Sequence, residues 1–489
     1  MLIVGQKKSL SNMPPKPPEL PEWLVVGFAG HRDIGTAELI AAKIGDELDR
    51  LASTFRRLTT ISSAANGADS LFLEEVNRRN IPYLIILPFP RERFAKDFSS
   101  TDWERVSKQL KSALEVEEIS APGNEGYWEV AERTIEQADV VLVVWDGQPA
   151  AGMGGTGDAV AFARTMSKPL IWIHPDTQEV KREGFEKLSQ PKGTDSDLSL
   201  PGTPREIVQK YFLKIDETAA RRGPQTRRLM QRLIWLHLAA SSVGLSTTTF
   251  GLESVPEFFL LASELALLAT AFVLAGMHHR KHGEWLRLRI EAEICRSYLA
   301  TWGFRSQLGG AVNIAVHGFE AICKNLGILQ ALDGNRPASL KGACDDYLTH
   351  RLRSQLDYFS QWAEKAQRAH ARLQIFVLCC TAAAALLTAT VLGLAVWHVD
   401  GLPFKLSKFL SLTLPLLSAA LISIIITHGY ARRAERYREI IPFLENSTKR
   451  LSAVKTWSGL IRIASETEEV LLREVIEWHS FTRFTGRVY

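Results

Sequence analysis

Gly27, Gly30, His31, Arg32 and Asp33 fall within one short stretch, GFAGHRD. That mixture suits the binding of an anion. Small residues let backbone N–H groups come close to it, and a guanidinium adds a charge-assisted hydrogen bond. Two more stretches are of the same kind: Ala64-Ala65-Asn66-Gly67-Ala68-Asp69, and Asp146-Gly147 followed by Gly152-Met153-Gly154-Gly155-Thr156-Gly157. Any one of them alone is also what a tight strand-to-helix turn needs with no ligand at all.

The elements around these stretches decide between the two readings. Apolar runs at 24–29, 58–62, 83–88, 140–145 and 169–173 predict buried strands. A helix is predicted over 36–51, with Thr36 as N-cap and Leu39, Ile40, Ile44 and Leu48 on one face. Another is predicted over 158–166. Strands alternating with helices imply a Rossmann-like α/β domain, a parallel sheet covered on both faces. All three glycine-bearing turns then follow strand C-termini, the edge where open α/β sheets bind ligands.

GFAGHRD, ANGAD, ADVVLVVWDG, GGTG and KPLIWI together resemble the SLOG superfamily, the Rossmann-like group that includes LOG phosphoribohydrolases and DprA-like proteins. The resemblance spans roughly 22–175. It implies a nucleotide or nucleotide-derived ligand, with Gly30, His31 and Arg32 lining a phosphate or ribose site. Gly27, Asn66, Gly67, Asp69, Asp146 and Gly147 join that ligand-binding set by the same likeness, and Gly154, Gly155, Thr156 and Gly157 wrap the other side. One departure matters. Catalytic LOG enzymes carry a glutamate in a PGGxGTxxE pattern, whereas this chain continues Asp158-Ala159-Val160-Ala161. Glycosidic cleavage needs a carboxylate as nucleophile or acid/base. Asp158 is read as a helix cap, and Glu129 and Glu132 as helix surface. The domain is therefore expected to bind rather than catalyse, with no catalytic residue and no metal or cofactor.

The second half has a different composition. Phe258 to Met277 is nearly all apolar and leads at once into HHRKHGEWLRLR. Twenty residues of helix span about 30 Å, the thickness of a bilayer's hydrocarbon core. Spans are predicted at 233–250, 258–277, 375–396 and 409–427, the first of them rich in Ser and Thr. They form two hairpins, and a recurring Glu-x-x-Arg after each suggests a duplicated unit. Lysine and arginine crowd 221–232, 278–289, 365–372 and 432–438, so both termini are expected in the cytoplasm of a bacterial inner membrane. The segments are a disordered lead-in at 1–21, a ligand-binding domain at 22–176, a linker at 177–204, and hairpin regions at 205–373 and 374–489. The middle segment is expected to be helical, with breaks near 308–312 and 333–337.

A two-span hairpin with long basic cytoplasmic helices resembles the SLATT class, which pairs such hairpins with nucleotide-sensing partners in bacterial antiphage systems. The two resemblances together imply a membrane effector of the CBASS or Thoeris kind. It would respond to a cyclic oligonucleotide or an ADP-ribose derivative, assemble with copies of itself and breach the bilayer. A membrane-tethered nucleotide hydrolase and a membrane scaffold with a docking domain are the alternatives. Glu264 stands inside a predicted span, where a charge costs at least about 2–3 kcal/mol. Either it faces other helices or a pore, with His237 as a partner, or the span starts later and it lies at the interface.

Composition narrows the classes. The net charge of +4 is concentrated at the hairpin flanks, which disfavours nucleic acid as a partner. The five cysteines form no CxxC pair, which excludes a zinc site or a disulfide framework.

Overall fold

The computed structural model describes residues 20–188, 200, 202–251, 255–304, 318–334, 336–398 and 401–485. Most of the predicted lead-in, residues 189–199 and 201 of the predicted linker, the first hairpin tip at 252–254 and the predicted break at 308–312 lie outside the described residues. The chain divides into two compact units. One is Glu19–Ile207 with Lys324–Gly334, and the other is built on Val208–Cys323 and Asn335–Tyr489.

The first unit is a sheet of seven strands in the order β4-β3-β2-β1-β5-β6-β7. They are β1 Leu24–Gly30, β2 Leu58–Ser62, β3 Tyr83–Leu87, β4 Glu115–Glu118, β5 Val140–Val144, β6 Leu170–Ile173 and β7 Val180–Glu183. All neighbours are parallel except β6 and β7. β2 and β5 are buried at every residue, as strands covered on both faces must be. The covering helices are α1 Ala37–Phe55, α2 Ala68–Arg78, the short α3 Arg91–Phe94, α4 Ser100–Ser112, α5 Glu125–Gln137 and α6 Thr156–Thr165. Val26, Phe28, Ile44, Leu48 and Phe72 pack on one side of the sheet, where Phe28 stacks on Phe72 at 4.2 Å. Val141, Val143, Ala159 and Leu170 pack on the other.

Two strands escape the periodicity argument. β4 is EVEE and β7 is VKRE. Both are edge strands, where one side faces solvent and charge discourages pairing with other chains. β7 lies in the stretch expected to be linker, so the sheet extends past 177. Thr36 does occupy the N-cap position of α1, but its side chain makes no capping hydrogen bond.

The sheet unit also takes in part of α9, Glu320–Asp333, from far along the chain. Asn325 Oδ1 accepts from the Trp23 backbone N–H at 3.1 Å. Lys324 Nζ pairs with Asp139 Oδ2 at 2.6 Å, and that same oxygen accepts from Val25 N–H at 2.8 Å. This clamp on β1 joins residues about 300 apart in sequence.

The second unit is helical: α7 Pro204–Phe250, α8 Val255–Ala300, α10 Leu340–Tyr347, a π-helical turn Leu348–Arg353, α11 Ser354–Val396, α12 Leu402–His428, α13 Tyr430–Ser452 and α14 Trp457–Thr485. The predicted break at 333–337 is present between α9 and α10. The expected dozen-residue loop before the last span is shorter, because α12 begins at Leu402. Among the described residues, three helical stretches are long and apolar enough to cross a membrane: Val255–Ala300, Leu340–Val396 and Leu402–Ser452. Their apolar windows are little covered by protein.

α7 is long enough but less apolar, and its surroundings explain why. Its hydroxyls are satisfied within the helix: Ser242 Oγ donates to Leu238 O, and Thr247 Oγ1 to Gly244 O. Phe250 packs on Phe409 of α12, and Lys405 Nζ donates to Phe250 O at 3.0 Å. Gln231 Nε2 lies 2.9 Å from His428 Nε2. A helix partly packed on its neighbours has less need of an apolar surface than one facing lipid all round.

Candidate functional site

The chain winds outward from β1 to β4, then returns to place β5 on the other side of β1. The strand order reverses between β1 and β5, and the crevice beyond their C-terminal ends is the switch point where such sheets bind ligands. The first and third glycine turns meet there. His31 N–H donates to Val144 O at 3.2 Å. The Asp146 N–H lies 3.1 Å from His31 Nε2, and Asp146 Oδ1 lies 3.0 Å from the same nitrogen. Asp146 is partly exposed, and the Gln148 backbone N–H holds its carboxyl below the usual range, with His31 adding to the effect against partial burial.

The second turn docks on the first. Ala68 N–H donates to His31 O at 3.0 Å. Gly67 has φ +88°, and a Cβ there would lie 2.2 Å from Arg32 O. Gly30 leaves room for Ala68, whose Cβ would otherwise be 2.5 Å away. Asn66 Oδ1 accepts from Gly67 N–H at 3.1 Å, which shapes the turn. Asp69 is buried beneath it and accepts from Ser62 Oγ at 3.0 Å and Ser63 Oγ at 2.7 Å.

Burial pushes the Asp69 carboxyl up to about 6, against the lowering effect of the two serines and Arg32. The folded form therefore holds a proton that the unfolded chain releases near 4. Stability from this group is greatest below about 4 and falls as pH rises to about 6. Across that interval the loss comes to about 3 kcal/mol. Asp69→Asn should flatten that interval relative to the unsubstituted protein, as measured by denaturation at pH 4, 5, 6 and 7.

The glycine run sits beside this crevice, but its glycines are needed by the protein itself. Gly154 has φ +79°, and its Cβ would lie 2.5 Å from Trp128 N at the start of α5. A Cβ on Gly157 would meet Ala150 N at 2.5 Å, and one on Gly155 would meet Ala150 Cβ at 3.0 Å. Thr156 is buried in the first turn of α6. Gly147, with φ +84°, turns the chain away from β5 beside Trp172. Gly27 is the outlier of the expected set. It lies inside β1, where a Cβ would meet Ala138 Cβ at 2.8 Å, and it serves helix packing rather than the strand edge.

The carboxylates considered for catalysis have other partners. Asp158 Oδ2 accepts from Gly154 N–H at 3.1 Å, as its reading as a cap requires. Glu129 pairs with Arg133, which also pairs with Glu117. A shallow, mostly apolar hollow lined by Trp128, Met153, Asp158 and Phe162 lies between α5 and α6.

Tyr127 and Asp97 belong to the site although no motif in the sequence singles them out. The Arg32 guanidinium stands 5.3 Å from the Tyr127 ring centre, and Tyr127 OH donates to Asp97 Oδ2 at 2.6 Å. Tyr127 follows a fourth glycine-bearing helix start, Asn124-Glu125-Gly126. There Gly126 lets α5 approach Pro88 O at the end of β3. Among the described residues no cluster of His, Cys, Asp and Glu could hold a metal ion.

In the helical unit, the Glu264 carboxylate lies against Gly244 of α7, where a Cβ would come within 2.9 Å of both oxygens. Among the described residues no hydrogen bond joins it to His237, the partner in one of the two readings. His237 Nδ1 lies 2.9 Å from Leu233 O of its own helix, and Gly244 is two turns further along, about 10 Å.

Residues 347–478 match the family described as SMODS and SLOG-associating 2TM effector domain 1. The match takes in the π turn, α11, α12, α13 and most of α14, so it covers the second hairpin. It marks a membrane effector type of module. No curated protein matches the chain.

Proposed function

We propose that this chain is a membrane effector of bacterial antiphage defence. Its SLOG-like sheet unit senses a nucleotide-derived second messenger, a cyclic oligonucleotide or an ADP-ribose derivative. Binding drives the chains to assemble, and the hairpins then disrupt the inner membrane or form a pore. The observation that carries this reading is the effector-domain match at 347–478 in a chain whose other unit brings His31 and Asp146 together at a sheet switch point. By its description, the matched domain associates with SLOG domains.

In this reading α7 supplies a fourth span over 233–250, with its polar groups satisfied within the helix as hydrocarbon demands. The basic flanks then place both termini in the cytoplasm. The ligand acts through differential affinity for the two assembly states, on the order of 10⁴-fold for a complete switch.

The experiment is dye leakage from liposomes carrying the full chain, screened against cyclic oligonucleotides and ADP-ribose derivatives. Arg32→Ala removes an exposed guanidinium at the crevice. It should weaken binding by about 1.5–3 kcal/mol, roughly ten- to hundredfold in affinity. Intact liposomes in the presence of a nucleotide that is bound and consumed would replace this reading with a membrane-tethered hydrolase.

A further inference from the structure

A chain of charge, buried at Glu293, Arg351 and Glu468, crosses the helical unit outside the predicted spans at 258–277 and 375–396. Asp216 Oδ1 of α7 accepts from Arg296 of α8 at 2.9 Å, and Arg296 also pairs with Glu293. Glu293 Oε1 accepts from Arg351 Nη2 at 3.0 Å. Arg351, in the π turn, also grips Glu468 of α14 with two nitrogens, at 2.9 and 2.5 Å. Tyr347 OH donates to Glu468 Oε1 at 2.8 Å. The Arg351 and Glu293 side chains are each 4% exposed and that of Glu468 is 0% exposed.

The two carboxylates on Arg351 have different positions in the chain. Glu468, Arg351 and Tyr347 all lie inside the matched module, 347–478. Glu293 comes from α8, outside it. Without Glu293, Arg351 keeps a two-point partner and the module keeps a neutral pair. Without Arg351, two buried carboxylates face each other, and removing one member of a buried ion cluster is what costs most. The arginine sits in a π turn, an irregularity that occurs mostly at functional positions. α7 in turn is the helix that continues from the linker after the sheet unit.

We propose that Glu293 is the link in a mechanical joint that holds the α7–α8 pair to the matched effector module, while the Arg351–Glu468 pair holds that module together. Burial pushes the Glu293 carboxyl up, but the guanidiniums of Arg296, Arg351 and Arg289 outweigh it and hold it at about 2, so the link stays charged.

Hydrogen–deuterium exchange on the full chain in lipid nanodiscs tests this without any ligand and without any leakage assay. Glu293→Leu should lower protection at least fivefold over 286–300. It should leave 340–360, 457–477 and the strands at 24–30 and 140–144 unchanged. Arg351→Met should lower protection over 286–300, 340–360 and 457–477 alike. If Glu293→Leu does not fold, Glu293→Gln keeps the shape, removes the charge and should give the same pattern with a smaller change. Unchanged protection over 286–300 in Arg351→Met overturns the proposal, because Glu293 would then serve only its own helix. Equal loss over 340–360 in both variants overturns it too, because joint and module would be one structure.

Discussion

Valine at position 67 should destroy the turn at the sheet edge and lower the stability of the sheet unit by about 2–6 kcal/mol. Two separate costs add. The backbone there has φ +88°, a conformation that costs a β-branched residue about 1–3 kcal/mol. The new Cβ would also lie 2.2 Å from Arg32 O and 2.6 Å from its carbonyl carbon. Backbone cannot rotate aside as a side-chain tip can, and forced overpacking typically costs a further 1–3 kcal/mol, about as much again. The displaced atoms belong to the turn that carries Arg32, so ligand binding should be lost along with the stability. Gly35→Ala is the control. It lies on the same connection from β1 to α1, and a Cβ there meets nothing within 4 Å. Its sheet-unit transition in a calorimetric scan should stay within about 0.5 kcal/mol of the parent. A Gly67→Val protein with the parent's transition and nucleotide affinity would mean that the second turn does not hold the first.

This contrast also shows what the sequence could and could not disclose. β2 is predicted at its observed bounds, and β1, β3, β5 and β6 within a residue or so; the latter four are apolar runs with no competing period, while β2, LTTIS, is rich in β-branched residues. Buried parallel strands must read that way. The edge strands EVEE and VKRE could not be seen, since a strand with one solvated face and one partner needs no apolar run. The meeting of His31 with Asp146 follows from topology once strand order is known, but no local pattern fixes which strand lies beside β1. Nor does any local pattern tell Asn325 that it will bond to Trp23.

The glycines teach a narrower lesson. Spacing identifies the turns but not what approaches them. Gly30, Gly67, Gly154 and Gly157 each admit another part of the protein at under 3 Å from a notional Cβ, so their smallness is already required before any ligand arrives. The anion-binding argument therefore rests on the switch point, Arg32 and the His31–Asp146 pair more than on glycine count. In the helical unit the Ser- and Thr-rich stretch of α7 reads as a poor span for a reason that only packing reveals. It meets α8 at Gly244 and α12 at Phe250 while Trp235 and His237 stay exposed, whereas the apolar windows of α8 and α11 are almost bare.

Leucine at position 264 should make the helical unit more stable and the protein a worse effector. Glu264 is the one charged residue between Phe258 and Met277. A carboxylate within a span costs about 2.5–3.5 kcal/mol, less whatever its surroundings return. Those surroundings are modest: the carboxylate rests on the bare backbone of Gly244. Glu264→Leu should thus raise the stability of the full chain in detergent by about 2 kcal/mol. If assembly brings several copies around one axis, the same carboxylates would be hydrated there and would favour cations, as acidic rings do in cation channels. Ligand-triggered leakage of a cationic dye from liposomes should then fall at least tenfold, with nucleotide affinity unchanged. Gly244→Leu supplies the companion test, since it drives a side chain into the place the carboxylate occupies and should alter leakage without removing the charge. A stabilised Glu264→Leu protein that leaks like its parent would show that the carboxylate plays no part in the pore and would leave the effector reading standing.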